Sequence, residues 1–120
     1  MSKKILIVDD ATFVRVRLGN SVKKIGYEPV FAENGKVAIE QYVKEKPDVV
    51  FMDISMPVMD GISSLKEIIK ADPQARIIML TNEAQQKTII EALQCGAKMY
   101  LVKPFDDNVI AQSVNEVLSK

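Results

Sequence analysis

Short apolar runs alternate with stretches whose apolar residues recur every three or four positions. The runs Ile5-Leu6-Ile7-Val8 and Val49-Val50-Phe51-Met52 are unbroken, as expected of strands buried on both faces of a parallel sheet. The pattern predicts strands at about 4–9, 28–32, 48–53, 76–81 and 99–102, and helices at about 12–25, 35–45, 62–71, 84–95 and 107–119. Val14, Leu18, Val22 and Ile25 form one face of the first helix, and Ile110, Val114, Val117 and Leu118 one face of the last. Gly26 and Gly96 fall just past helix ends, where a left-handed cap is wanted. Asn34 and Asp106 stand at N-cap positions, and Pro73 follows the end of the third helix.

Five strand–helix alternations with no linker predict an α/β fold, a doubly wound parallel sheet with right-handed crossovers. A flavodoxin-like (βα)5 order of 2-1-3-4-5 suits this length and places strands 1 and 3 side by side. Asp9 and Asp10 directly follow the first run and Asp53 the second, so all three reach the carboxyl edge of the sheet, where α/β folds bind ligands. Three carboxylates there would repel one another unless a hard cation such as Mg2+ neutralised them.

Composition narrows the picture further. The 120 residues are expected to make one domain, 1–120. Lys+Arg and Asp+Glu number 16 each, so no global charge points to nucleic acid or to a membrane surface. The apolar runs are too short to span a bilayer, and Met1-Ser2-Lys3-Lys4 leads straight into the first strand without a signal-peptide core. A single cysteine, Cys95, allows no internal disulfide and suits a reducing cytoplasm. There is no glycine-rich phosphate loop, so no nucleotide site is expected.

The chain resembles the receiver domain of two-component response regulators, in particular the single-domain CheY-like proteins. The resemblance spans the whole chain. It rests on Val8-Asp9-Asp10 with Arg15 and Leu18, Met52-Asp53-Ile54-Ser55-Met56-Pro57 with Asp60-Gly61, Leu80-Thr81, and Tyr100-Leu101-Val102-Lys103-Pro104-Phe105. Each element alone has a bland reading: an acidic helix cap, a turn aspartate, a threonine N-cap, a solvated lysine. All four fall in order at predicted strand ends, on the one sheet edge where a site is expected.

The resemblance implies a phosphorylation-activated signalling switch that modifies itself and does not turn over a substrate. Asp53 would accept a phosphoryl group from a sensor histidine kinase. Asp10, Asp53 and the Ser55 carbonyl would hold Mg2+, for which Mn2+ can substitute, with Asp9 bonding through water or orienting the shell. Lys103 would meet the phosphoryl oxygens with charge and Thr81 with a hydroxyl. Thr81 and Tyr100, expected at the ends of adjacent strands, would form a coupled switch. Output would be binding of a target protein on the face made by helix 84–95, strand 99–102 and helix 107–119. Ala11-Thr12-Phe13-Val14-Arg15 and the helix around Gln85-Gln86 are similar to chemotaxis-type members, whose target is the flagellar motor switch.

Two positions depart from the family's habit. Asn82, after Thr81, stands where Ala or Gly is common, and Ser55 stands where Asn is frequent. Both would flank the approach to Asp53 and so bear on the lifetime of the phosphorylated state. A haloacid-dehalogenase-type phosphohydrolase also uses a strand-end Asp with Mg2+, but its DxDxT motif would meet Asp9-Asp10-Ala11-Thr12 here. A flavodoxin-like FMN-binding module shares the strand order but needs a phosphate loop after strand 1, where this chain has acids.

Overall fold

The structure, a computed structural model, describes residues 3–82 and 86–119, with Gln86 described by its backbone alone. In chain order the elements are β1 (Lys4–Val8), α1 (Thr12–Lys24), β2 (Glu28–Ala32), α2 (Gly35–Glu45), β3 (Val49–Asp53), α3 (Gly61–Ala71), β4 (Ile77–Thr81), α4 (Gln86–Gln94), β5 (Met99–Val102) and α5 (Asp107–Leu118). The strands form one parallel sheet in the order β2-β1-β3-β4-β5. Every predicted element is present, with ends shifted by a residue or two. The start of the fourth predicted helix, with Gln85, lies outside the described residues.

The unbroken apolar runs have a direct cause. Residues of β3 and β4 are buried at every position, whereas the edge strand β5 alternates partly buried and exposed. On one face of the sheet, Leu6, Val8, Val50, Met52, Ile77 and Met79 pack with Ala38 and Tyr42 of α2, Ile62, Leu65 and Ile68 of α3, and Ala92 of α4. On the other, Ile5, Ile7, Val49, Phe51, Ile78 and Leu80 pack with Leu18 and Val22 of α1 and Ile110, Val114 and Val117 of α5. Both expected helix faces are therefore the buried ones, with Val14, Ile25 and Leu118 at their margins.

The helix ends follow the expected chemistry. Asn34 accepts from the Val37 N–H at 2.9 Å and Asp106 from the Val109 N–H at 2.9 Å. Gly26 and Gly96 take positive φ, 90° and 114°, the conformation that favours glycine. Asp60 supplies a third cap, accepting from the Ser63 N–H at 2.7 Å. Thr81 is the last residue of β4. The Tyr42 hydroxyl donates to Asp72 at 2.7 Å, a partly buried bond that joins α2 to the end of α3. That bond and burial push the Tyr42 phenol well above its ordinary range, burial being the larger cause.

Candidate functional site

Parallel pairing brings Val8 of β1 opposite Met52 of β3. The next residues along those strands are Asp9 and Asp53, so the register alone sets two carboxylates side by side. The chain turns at Asp10, and carboxylate oxygens of Asp9, Asp10 and Asp53 lie within 4.8 Å of one another. Asp9 is wholly buried, Asp53 is buried, and Asp10 faces solvent.

Asp9 is held from several sides. Its N–H donates to the Ala32 carbonyl at 3.2 Å, and its Oδ1 accepts from the Ala11 N–H at 2.9 Å. Its Oδ2 accepts from Lys103 Nζ at 2.8 Å. Lys103 lies 3.6 Å from Asp53 Oδ1 in turn, so a single ammonium serves both buried carboxylates. The backbone N–H of Lys103 donates to the Thr81 carbonyl at 2.7 Å, which ties the lysine to the end of β4. The following Lys103–Pro104 peptide is cis.

Asp53 carries the electrical consequence of this crowding. Its carboxyl is pushed up to about 6 from 3.8, chiefly by burial and next by the charge of Asp9. Asp10 adds to the rise, while Lys103 and the Ser55 backbone N–H oppose it without cancelling it. A buried acid with surplus negative charge around it is a place where a cation binds with gain. The donors are carboxylate oxygens, which suit a hard cation such as Mg2+ and not a thiophilic or imidazole-seeking metal.

The structure brings together Asp9, Asp10, Asp53, Ser55, Thr81 and Lys103 at one sheet edge, as the sequence led us to expect. In this structure Lys103 rests on Asp9, whereas the expectation concerned phosphoryl oxygens. Tyr100 sits elsewhere than expected: it pairs with Met79, two pairs before the strand end, while Thr81 pairs with Val102. Alternation still puts Thr81 and Tyr100 on the same sheet face. Thr81 is buried and Tyr100 is 41 % exposed. Asn82 is exposed just beyond Thr81, and Ser55 is exposed just beyond Asp53.

Of two further residues near the carboxylates, Arg15 had no assigned part in the sequence reading and Gly61 only a share in shaping the loop beside Asp53. Arg15 Nη1 donates to the Asp9 carbonyl at 2.6 Å. Gly61, at the start of α3, packs so closely under Asp53 that a Cβ there would collide with the Asp53 carbonyl oxygen. Its N–H donates to the Ile54 carbonyl at 2.8 Å, which fastens α3 to the end of β3. A glycine directly after an Asp cap was the only local sign of that approach. Between Asp53 and Gly61, Val58 adopts φ 67°, an uncommon conformation for a β-branched residue.

Comparison with known proteins agrees with this geometry. Residues 5–115 match the family model described as "Response regulator receiver domain". Chemotaxis protein CheY of Thermotoga maritima is 48% identical over 118 residues, covering 98% of this chain and 98% of the relative. Chemotaxis protein CheY of Bacillus subtilis is also 48% identical, over 120 residues, covering 99% and 100%. Among solved structures, the CheX-CheY-BeF3-Mg2+ complex of Borrelia burgdorferi has a chain similar at TM-score 0.93 and 34% identity, over 98% of this chain and 90% of that one. A CheY-like receiver domain protein of Methanospirillum hungatei matches at TM-score 0.94 and 28% identity, over 99% and 95%. Neither the phosphohydrolase nor the flavodoxin reading gains support from the site or the relatives. The chain belongs to the response regulator receiver domain family as a CheY-like member, a phosphorylation-activated signalling switch with a cluster of three aspartates at the carboxyl edge of its sheet.

Proposed function

We propose that Asp53 is the phosphoacceptor and that residues 1–120 act as one receiver unit which phosphorylates itself from a donor. The supporting observation is the position of Asp53: buried at the end of β3, within 4.8 Å of two further carboxylates and 3.6 Å from the Lys103 ammonium. A carboxylate oxygen of Asp53 attacks the phosphorus of a phosphohistidine on the sensor kinase. The P–N bond breaks, the imidazole nitrogen leaves with the electron pair and takes up a proton, and an acyl phosphate remains on Asp53. Asp10, Asp53 and the Ser55 carbonyl are the proposed Mg2+ ligands, with Asp9 one shell out. Bound there, the cation neutralises charge on the transferring oxygens, and Mn2+ is expected to serve as well. Lys103 exchanges its contact with Asp9 for the phosphoryl oxygens, and Thr81 contributes its hydroxyl. Later hydrolysis by water returns the free carboxylate.

The new charge is read by Thr81 and Tyr100. Thr81 moves toward the phosphoryl oxygens, and Tyr100 turns inward to fill the space it leaves. The target then binds α4, β5 and α5, where Ile90, Leu93, Tyr100 and Val102 stand 54%, 40%, 41% and 40% exposed. Because the curated relatives cited above are chemotaxis proteins, we read the pathway as chemotaxis, with a flagellar motor switch as the target and a reducing cytoplasm as the setting. The chemistry is tested by incubating the protein with acetyl phosphate and following intact mass. One phosphoryl group is expected with Mg2+ or Mn2+, none in metal-free buffer and none in Asp53→Asn. Full-level labelling of that variant, or labelling without metal, overturns the assignment.

A further inference from the structure

Among the described residues Arg15 pairs with no carboxylate, and its place is explained by something other than charge pairing. It lies in the first turns of α1, where its N–H bonds the Ala11 carbonyl at 3.2 Å. Its guanidinium reaches back over that turn, bonding the Asp9 carbonyl at 2.6 Å and Thr12 Oγ1 at 3.2 Å. The Asp9 carbonyl belongs to the peptide unit that joins Asp9 to Asp10. Asp9 is already fixed through its N–H and both carboxylate oxygens. Asp10 is exposed and has no such anchors among the described residues, so the orientation of the Asp9–Asp10 peptide plane decides where its Cβ points.

We infer that Arg15 is a positioning residue for the metal pocket: it clamps the Asp9–Asp10 peptide and thereby aims the Asp10 carboxylate at Asp53. A guanidinium suits the task because it offers several donors in a rigid plane and stays charged at all relevant pH. The inference rests on the proposed Mg2+ site, and one property keeps it distinct from a general electrostatic effect. Arg15 is a cation beside a cation site, so if its charge alone mattered, removing it would tighten Mg2+ binding. Clamping predicts the opposite sign.

The test is titration of the purified, unphosphorylated protein with MgCl2 by calorimetry, for the natural sequence and for Arg15→Ala, Arg15→Met and Arg15→Lys. Groups that orient metal ligands typically matter 10–100-fold in affinity. We expect both neutral variants to bind Mg2+ about tenfold more weakly, the low end of that range. Met keeps the aliphatic stem, so agreement of Ala with Met assigns the loss to the donors and not to packing. Lysine, with charge and one donor group, should recover part of the affinity. Unfolding temperature in metal-free buffer should fall by no more than a few degrees, since Arg15 is only partly buried. Neutral variants that bind Mg2+ as tightly as the natural sequence, or more tightly, overturn the inference. A natural sequence that fails to bind Mg2+ would instead overturn the metal reading itself.

Discussion

At the scale of single residues, the site is an arrangement that the fold sustains at a cost. Asp53 is carried up to about 6 by burial and by Asp9, so the folded chain holds its proton more tightly than the unfolded chain does. The sign follows from that inequality. Below the unfolded value of 3.8 the protonated acid imposes no penalty, and as pH rises through about 6 stability is progressively lost. By the usual conversion the loss is on the order of 1–3 kcal/mol in metal-free buffer. Asp53→Asn should therefore unfold at a higher temperature than the natural sequence at pH 7, with the gap closing toward pH 4. Mg2+ should narrow the gap from the other side by stabilising the natural sequence more than the variant. Thermal melts across pH 4–8 with EDTA and with Mg2+ check this; a gap that does not vary with pH would mean that Asp53 is not held at high energy by its neighbours.

The elements themselves were legible in the sequence because their determinants are local. A run such as Val49-Val50-Phe51-Met52 can be wholly apolar only in a strand covered on both sides, and the sheet order then puts Asp9 beside Asp53 without further information. Asn34 and Asp106 announced helix starts by their side-chain acceptors, and Gly26 and Gly96 helix ends by their backbone freedom. What stayed hidden depends on contacts between distant parts of the chain. Lys103 and Asp9 are 94 positions apart, and no periodicity reveals which carboxylate an ammonium will choose. The offset of Tyr100 from Thr81 is a matter of strand register, which the 19-residue spacing of the two positions does not encode. Arg15 acts on a backbone carbonyl, which no residue-type pattern marks.

Gly61 and Asp60 show how one element's end becomes part of the site. Losing a side-chain N-cap costs about 1 kcal/mol in general, so Asn34→Ala and Asp60→Ala should destabilise the chain by similar amounts, measured by urea unfolding. Their effects on chemistry should differ. The first turn of α3 carries Gly61 against the Asp53 carbonyl, so fraying it loosens the acceptor strand. Asp60→Ala should slow labelling by acetyl phosphate several-fold, while Asn34→Ala leaves it near the natural rate. Equal rates for the two variants would mean that α3 does not hold Asp53 in place.

For the molecule as a whole, the account requires that charge added at Asp53 alter a surface built from β5 and α4. Moving such an equilibrium from 1:99 to 99:1 takes about 5.5 kcal/mol of differential stabilisation. A hydroxyl bond from Thr81 contributes roughly 1 kcal/mol, too little alone, so the Lys103 charge and repacking of Tyr100 must share the remainder. The most direct measurement is a pair of crystal structures of the natural sequence, with Mg2+ alone and with Mg2+ plus beryllofluoride, a phosphoryl mimic. With the mimic seated on Asp53, Lys103 should leave Asp9 for the fluorides, Thr81 should shift toward them, and Tyr100 should pass from its 41 % exposed position to a buried one. Beryllofluoride bound at Asp53 with Thr81 and Tyr100 in unchanged rotamers would contradict the account.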